Sequence, residues 1–113
     1  MDAQLPRNQA NLRMAEPAEL KGAWTVAVPG SASCTIDLRT TRVEAANAYS
    51  LGDESGCLAA LAAAPIAGWR PAPDGIEIAG KDRRTLLMFA DQGDGTAIAA
   101  TPRGEARLAR QSI

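Results

Sequence analysis

The side chains that most often carry out chemistry are scarce in this sequence. It contains no histidine and two cysteines, Cys34 and Cys57. Without histidine the chain lacks the commonest general base and the commonest zinc ligand. A serine or cysteine triad of the usual kind is therefore excluded, as is a histidine-based zinc site. We predict that the protein is not an enzyme and that it holds no metal or other cofactor of its own.

The two cysteines leave three interpretations open. A structural zinc site needs four ligands, and Cys34 and Cys57 are too far apart for a CxxC redox pair. They could be two free thiols in the core, they could include one reactive thiol, or they could form one disulfide. We favour the disulfide, because closing a loop of this length stabilises a small fold by roughly 3 kcal/mol in the chain-entropy model. A disulfide would also indicate an oxidising compartment such as a periplasm.

The remaining polar motifs are explained by turn chemistry. Residues 52–56 invite comparison with the loop that carries a catalytic serine, but without a histidine we interpret them as a polar turn. Residues 91–95 lack the bidentate glutamate that would close a calcium loop. The scattered carboxylates that we assign to turns are Asp74, Glu77, Asp82, Asp91 and Asp94.

Length and charge narrow the class of protein further. The chain has 113 residues, with 12 Lys and Arg against 13 Asp and Glu, which suits one globular domain. This balance predicts no nucleic-acid partner, because binding to phosphates needs an excess of basic side chains. The sequence contains no apolar run near the roughly 20 residues of a membrane helix, so we also predict no membrane partner.

Apolar and polar residues alternate along most of the chain, which is typical of β-strands with one buried face. Turn-forming residues recur roughly every 8–12 residues, as in β-sandwiches and up-and-down barrels. Seven or eight short strands are expected, and closure into a small barrel would leave no exposed edge. The predicted strands are residues 23–28, 34–39, 48–51, 75–79, 85–90, 96–101 and 105–110, with a helical segment at 57–64.

Residues 1–21 differ from the rest, and we predict that they form an arm in front of a barrel domain at 22–113. Pro17 suits the first position of a short helical turn that ends before the barrel. In the preceding polar segment, Leu12 and Met14 place two apolar side chains at alternate positions. The arm could be a strap across the end of the barrel, or an extended peptide that enters the groove of a partner.

Several segments of the chain occur in the order and with nearly the spacing seen in a known family. They are AELKGAW at 18–24, CTIDL at 34–38, YSLG at 49–52, CL at 57–58 and, most specifically, GWRPAPDGI at 68–76. Together they resemble the alkaline-protease inhibitor family, the bacterial periplasmic inhibitors of serralysin-type zinc metalloproteases.

The resemblance implies a fold, a partner and a location. The fold would be all-β, a compact eight-stranded antiparallel up-and-down barrel that is lipocalin-like, with an extended N-terminal arm, a short helical turn and a Cys34–Cys57 disulfide. The partner would be a secreted serralysin-type zinc metalloprotease, bound in a 1:1 complex by an inhibitor that is monomeric when free. The location would be the periplasm.

The resemblance also implies a mechanism. In the family, the first residues form a trunk that enters the protease cleft, and the terminal amine ligates the catalytic zinc. An amine is a good zinc ligand, and it would displace the water that the protease needs as its nucleophile. The positions of this sequence that match the trunk are Ala10, Asn11, Leu12, Arg13 and Met14.

The start of the chain departs from the family pattern. Nine residues precede Ala10, and fully extended they span roughly 30 Å. The amine of this chain therefore cannot lie where the family places it. We expect that these residues are trimmed, that they were added in front of the natural start, or that the zinc is blocked in another way. Residues 1–10 also lack the apolar stretch of a signal peptide, so we expect that a periplasmic leader has been removed.

The alternative hypothesis is a lipocalin-like barrel binding module that holds a small apolar ligand or anchors an envelope partner. Ligand binding would depend on a cavity near Trp24 or Trp69, whereas inhibition would depend on residues 10–14. We expect both tryptophans in the core, because large aromatic side chains are usually buried. A barrel this short is expected to have a filled interior.

Overall fold

A computed structural model describes residues 15–111 as a barrel of eight strands with two short helices and a 3-10 turn. Most of the strands form where apolar and polar residues alternate, because that period places every second side chain on the same face. In chain order the elements are α1 (Pro17–Leu20), β1 (Gly22–Ala27), β2 (Cys34–Val43), the 3-10 turn (Glu44–Ala46), β3 (Ala48–Gly52), α2 (Cys57–Ala62), β4 (Gly68–Ala72), β5 (Gly75–Ala79), β6 (Thr85–Asp91), β7 (Thr96–Thr101) and β8 (Gly104–Arg110).

Each strand pairs in antiparallel fashion with the next one, and β8 returns to β1 to close the barrel. In this closing pair Trp24 lies opposite Arg110, and Val26 lies opposite Leu108. Closure leaves no strand at a free edge of the sheet. The predicted eight-stranded antiparallel up-and-down barrel with a short helical turn is therefore confirmed.

Strand β4 occupies a segment in which the alternation predicts no strand, and it includes Pro71. Proline has no N–H group to donate to a neighbouring strand. Strand β4 pairs with β5 from Gly68 to Ala72, but its registered pair with β3 is Tyr49 with Trp69. Pro71 thus lies beyond the pairing with β3, which is the kind of place where a sheet tolerates proline.

The inward side chains fill the barrel. Trp69 and Phe89 are both 0% exposed, and the Trp69 indole N–H donates to the carbonyl of Arg39 at 2.8 Å. Arg39 lies where the register between β2 and β3 shifts, so the indole supplies a hydrogen bond at an interruption of the ladder. The other large, fully buried side chains are Ile36, Leu38, Leu58, Ile78, Leu108 and Val26.

Helix α2 closes one end of the barrel. Its side chains Leu58 and Leu61 are buried in the main core. A disulfide joins Cys57, the first residue of the helix, to Cys34, the first residue of β2. The expected disulfide is therefore present, and it ties the closing helix to the wall of the barrel.

The polar loop at 52–56 starts this helix. The Asp53 carboxylate accepts hydrogen bonds from the backbone N–H groups of Leu58 at 3.1 Å and Ala59 at 3.0 Å. A carboxylate at this position satisfies N–H groups that have no partner inside the helix, and it interacts favourably with the helix dipole. The loop is a helix-starting turn, in agreement with its interpretation as turn chemistry.

Candidate functional site at the open end of the barrel

The end of the barrel away from α2 carries a cavity of about 780 Å³, which we call the mouth cavity. Strands β1, β5 and β7 begin at this end, and β4, β6 and β8 end there. Apolar side chains form its inner part, and charged and polar side chains lie at its rim. The apolar residues are Leu20, Trp24, Ile76 and Ala97, and the polar ones are Asp74, Asp91, Gln92 and Arg110.

The N-terminal arm joins the barrel at this cavity. Ala15, the first described residue, is among the residues that line it. Five extended residues span at most about 18 Å, so a partner that binds the predicted trunk would lie within that distance of Ala15. The trunk residues themselves lie outside the described part of the chain: Ala10, Asn11, Leu12, Arg13 and Met14.

Helix α1 is the base of the arm. Pro17 occupies the first turn, where its missing N–H costs no hydrogen bond. The backbone N–H of Glu16 donates to the Glu19 carboxylate at 2.8 Å, and that of Lys21 donates to the Pro17 carbonyl at 3.0 Å. Gly22 follows with a φ of 118°, a conformation that favours glycine. The chain therefore turns sharply from α1 into β1.

Two barrel side chains, which we call the arm anchor, hold α1 in place: Trp24 and Arg110. The Trp24 indole N–H donates to the Leu20 carbonyl at 2.8 Å. The Arg110 guanidinium donates to the carbonyls of Lys21, at 2.9 Å, and Glu19, and it lies 4.8 Å from the centre of the Trp24 ring. The carbonyls at a helix C-terminus carry partial negative charge, so a guanidinium is a favourable partner there.

The sequence does not single out Arg110, which lies 89 positions from Lys21. The alternation of β8 was the one sequence pattern that could have drawn attention to Arg110. Ala106 and Leu108 are buried on the inward face, so residue 110 falls on the same face. Arg110 itself is exposed, because it is the last residue of β8, and there its guanidinium reaches the carbonyls of α1.

Both tryptophans belong to the main buried cluster of the barrel. Trp69 is 0% exposed and Trp24 is 6% exposed. Trp24 also lines the mouth cavity, which makes it part of the core and of the candidate site at once.

The most specific segment of the sequence, at 68–76, has a structural role. The Arg70 guanidinium bonds the Glu77 carboxylate at 2.9 Å, the Ala46 carbonyl at 3.1 Å and the Arg83 carbonyl at 2.7 Å. One side chain thereby joins β4, β5 and the loops that follow β2 and β5. Arg70, Glu77, Ala46 and Arg83 are not among the residues that line the mouth cavity, so this cluster stabilises the wall of the barrel rather than forming part of the candidate site.

Acidic residues of the turns are bound within their own turns. The Asp94 carboxylate accepts hydrogen bonds from the hydroxyl and the backbone N–H of Thr96, at 2.6 and 3.1 Å, which lower its pKa. The backbone N–H of Arg84 similarly lowers the pKa of Asp82.

Between residues 15 and 111, acidic and cysteine side chains do not gather into a group of three or more that could hold a metal ion. In the same part of the chain, neither helix is long and apolar enough to cross a membrane.

Comparison with known proteins identifies relatives along most of the chain. A family model described as protease inhibitor Inh matches residues 14–110. A proteinase inhibitor of Pseudomonas aeruginosa is 31% identical over 87 residues, which are 76% of this chain and 66% of that protein. An alkaline proteinase inhibitor of Photorhabdus luminescens is 31% identical over 86 residues, which are 76% of this chain and 63% of that protein. The chain thus spans just under two thirds of the length of these relatives.

A solved structure shares the barrel. The crystal structure of a psychrophilic marine protease MP inhibitor superimposes with a TM-score of 0.72 and 25% sequence identity. The match covers 86% of this chain and all of the other one.

Proposed function

This chain belongs to the protease inhibitor family Inh, and from that membership we propose that it inhibits a secreted serralysin-type zinc metalloprotease. The inhibitory element is the trunk at residues 10–14, which enters the active-site cleft and blocks the catalytic zinc. The observation that carries this proposal is the position of the arm. The described part of the arm begins at Ala15, which lines the mouth cavity, and the base of the arm is a helix bound to the barrel wall.

The barrel serves as a rigid base for the trunk. Binding an extended peptide costs the conformational entropy of every residue that becomes ordered. A base that is already fixed in direction reduces this cost, because fewer residues have to be ordered on binding. The closed sheet and the filled core supply that rigidity.

An amine at the start of the trunk would act on the zinc of the protease. An α-amino group has a pKa of about 8, so ligation to the metal at neutral pH releases its proton. The bound amine then occupies the site of the nucleophilic water. Since nine residues precede Ala10, this chemistry requires that Ala10 or Asn11 becomes the first residue.

We also propose that the inhibitor is a monomer that acts in the periplasm and forms a 1:1 complex. The Cys34–Cys57 disulfide supports an oxidising compartment, because disulfides persist there and are rare in the bacterial cytosol. A single arm per barrel supports a 1:1 stoichiometry.

Three forms of the chain test the proposed function against one purified serralysin-type protease. The first form is the full chain, the second begins at Ala10, and the third also begins at Ala10 but has an acetylated amine. Acetylation removes the ability of the nitrogen to bind zinc and leaves the trunk side chains unchanged. Inhibition constants are measured by hydrolysis of a fluorogenic peptide.

Tight inhibition by the second form, with weak inhibition by the first and third, is the result expected from an amine on the zinc. Equal potency of all three forms, with the full chain left uncut, would support the inhibitory function and overturn the amine mechanism. Lack of inhibition by every form would refute the proposed target class. Mass spectrometry of the recovered inhibitor shows whether the protease itself removes residues 1–9.

A second candidate function is favoured by the mouth cavity itself. Its apolar inner part includes Trp24 and Ala97, so the barrel could hold a small apolar ligand as a binding module. Saturable binding of the apolar dye 1-anilinonaphthalene-8-sulfonate, abolished by Ala97→Leu, would support this function. If the dye and Ala97→Leu leave inhibition unaffected, ligand binding and inhibition are separate activities of the barrel.

A further inference from the structure

We propose that Trp24 and Arg110 are positioning residues that fix the direction in which the N-terminal arm leaves the barrel. The inference rests on the proposed function, because it concerns how the trunk is presented to the protease. In this role the two side chains act through α1 and need no contact with the protease.

Helix α1 cannot hold a direction by itself. It has four residues, whereas an isolated helix needs about 12–15 residues to be marginally stable in water. It is joined to β1 by Gly22, whose backbone has a freedom that other residues lack. The direction of the arm therefore depends on contacts between α1 and the barrel.

The arm anchor supplies these contacts to three consecutive carbonyl groups. Arg110 bonds the carbonyls of Glu19 and Lys21, and Trp24 bonds the carbonyl of Leu20 between them. Hydrogen bonds to successive carbonyls of one short segment restrict both its position and its rotation. A single contact would restrict only its distance from the barrel.

The anchor is itself held by the sheet. Trp24 on β1 and Arg110 on β8 lie directly opposite each other in the closing strand pair. The guanidinium lies 4.8 Å from the centre of the indole ring, a distance at which the two groups attract each other. Because Trp24 is 6% exposed, its ring cannot shift far without disturbing the core. The exposed Arg110 guanidinium is held against this fixed ring by that contact and by its hydrogen bonds to α1.

The expected consequence is a change in the rate of binding. If only a fraction of free inhibitor molecules presents the arm correctly, the apparent dissociation constant is the intrinsic constant divided by that fraction. Loss of the anchor lowers the fraction. It therefore slows association and leaves dissociation of the formed complex nearly unchanged.

Substitutions made both in the full chain and in the form that begins at Ala10 test this role against a purified serralysin-type protease. Arg110→Ala should weaken inhibition by about tenfold, the change expected if the correctly presented fraction falls to a tenth. Trp24→Phe keeps an aromatic ring and removes one hydrogen bond, so a smaller loss is expected. The matched control is Arg107→Ala, because Arg107 lies on the same strand and bonds the Thr96 hydroxyl at 3.2 Å rather than α1. We expect it to leave inhibition unchanged.

A measurement on the free inhibitor separates positioning from other roles. The ¹H–¹⁵N heteronuclear NOE reports the order of each backbone amide. In Arg110→Ala we expect it to fall for residues 18–21 and to stay unchanged in β5 and β6, with little change in the melting temperature. A purely structural role of Arg110 would instead lower the melting temperature and leave the order of α1 unchanged.

Two results would overturn the inference. If inhibition weakens while the amides of α1 stay ordered, Arg110 contacts the protease directly. If neither inhibition nor order changes, α1 does not need the anchor. If neither the unaltered full chain nor the unaltered form that begins at Ala10 inhibits, the proposed function fails, and the NOE comparison still decides whether Arg110 orders α1.

Discussion

At one end of the barrel, α2 buries Leu58 and Leu61 in the core, and a disulfide joins its first residue to β2. At the other end, α1 lies against the mouth cavity and is bound through its carbonyls by Trp24 and Arg110. Both helices are short, and each meets the barrel at a strand terminus. They differ in the kind of interaction that holds them.

The two kinds of interaction have different consequences: one contributes mainly to the stability of the barrel, and the other defines the orientation of a helix. Burial of apolar side chains is strong but has little directional preference, and a disulfide adds stability chiefly by restricting the unfolded chain. Hydrogen bonds to successive carbonyls contribute less free energy, but they define an orientation. The closed end therefore stabilises the barrel, and the open end determines how the arm is presented.

The largest expected difference between the two ends comes from matched leucine substitutions. Leu58→Ala should lower the free energy of unfolding by about 2–5 kcal/mol, because Leu58 is fully buried and its removal leaves a cavity. Leu20→Ala should cost less, since Leu20 is only half-buried at the mouth. Urea denaturation measures both values. Equal losses would contradict the assignment of stability to the closed end.

Removal of the disulfide should give the next largest effect. Cys34→Ala combined with Cys57→Ala should lower the free energy of unfolding by about 3 kcal/mol. Because this bond lies at the end away from the arm, inhibition measured well below the melting temperature should be unchanged. Inhibition that falls together with stability would show that the two ends are coupled.

The cap of α2 is expected to contribute less. Asp53→Ala removes the acceptor for the Leu58 and Ala59 N–H groups, and loss of such a cap costs about 1 kcal/mol. The neighbouring exposed Glu54 provides the control, and Glu54→Ala should change the free energy of unfolding by less than about 0.5 kcal/mol. Chemical denaturation of both variants tests whether the carboxylate at 53 acts on the helix specifically.

The smallest effect is expected at acid pH. Hydrogen bonds from Thr96 hold the pKa of Asp94 below its ordinary value of 3.8 in the folded protein. A carboxylate with a lowered folded pKa stabilises the fold above its unfolded pKa, and that contribution is lost as the pH falls through the folded pKa. Since the chain has no histidine, the melting temperature should be nearly constant from about pH 5 to 7 and fall below about pH 4. Thr96→Ala should reduce the part of that decline due to Asp94.

Local sequence patterns accounted for much of the fold. Alternation in β1 and in β5 to β8, together with the turn residues between them, predicted strands within one or two residues of their positions. Pro17 predicted the start of α1, because proline suits the first position of a helix. These features depend on the conformational preferences of neighbouring residues, so a single sequence contains the information. The site residues at 10–14 remain predictions, as does the division into an arm at 1–21 and a barrel at 22–113.

Other features depended on residues far apart in the chain. Strand β4 forms despite Pro71 because β5 pairs with it on one side while its pairing with β3 stops short of the proline. The Trp69 indole donates its hydrogen bond to the Arg39 carbonyl, 30 positions away. Arg39 lies at a register shift between β2 and β3 that no local sequence pattern predicts. In both cases the tertiary pairing overrides the local preference.

The sequence by itself determined the position of most of the strands and of the short helix before them, because period-two alternation and turn residues act locally. Only the tertiary structure decided what holds that helix. Barrel closure brings β8 beside β1, and this places Arg110 next to carbonyls that lie 89 and 91 positions away. Which polar groups meet across such a closure depends on register and strand direction, which are properties of the whole sheet.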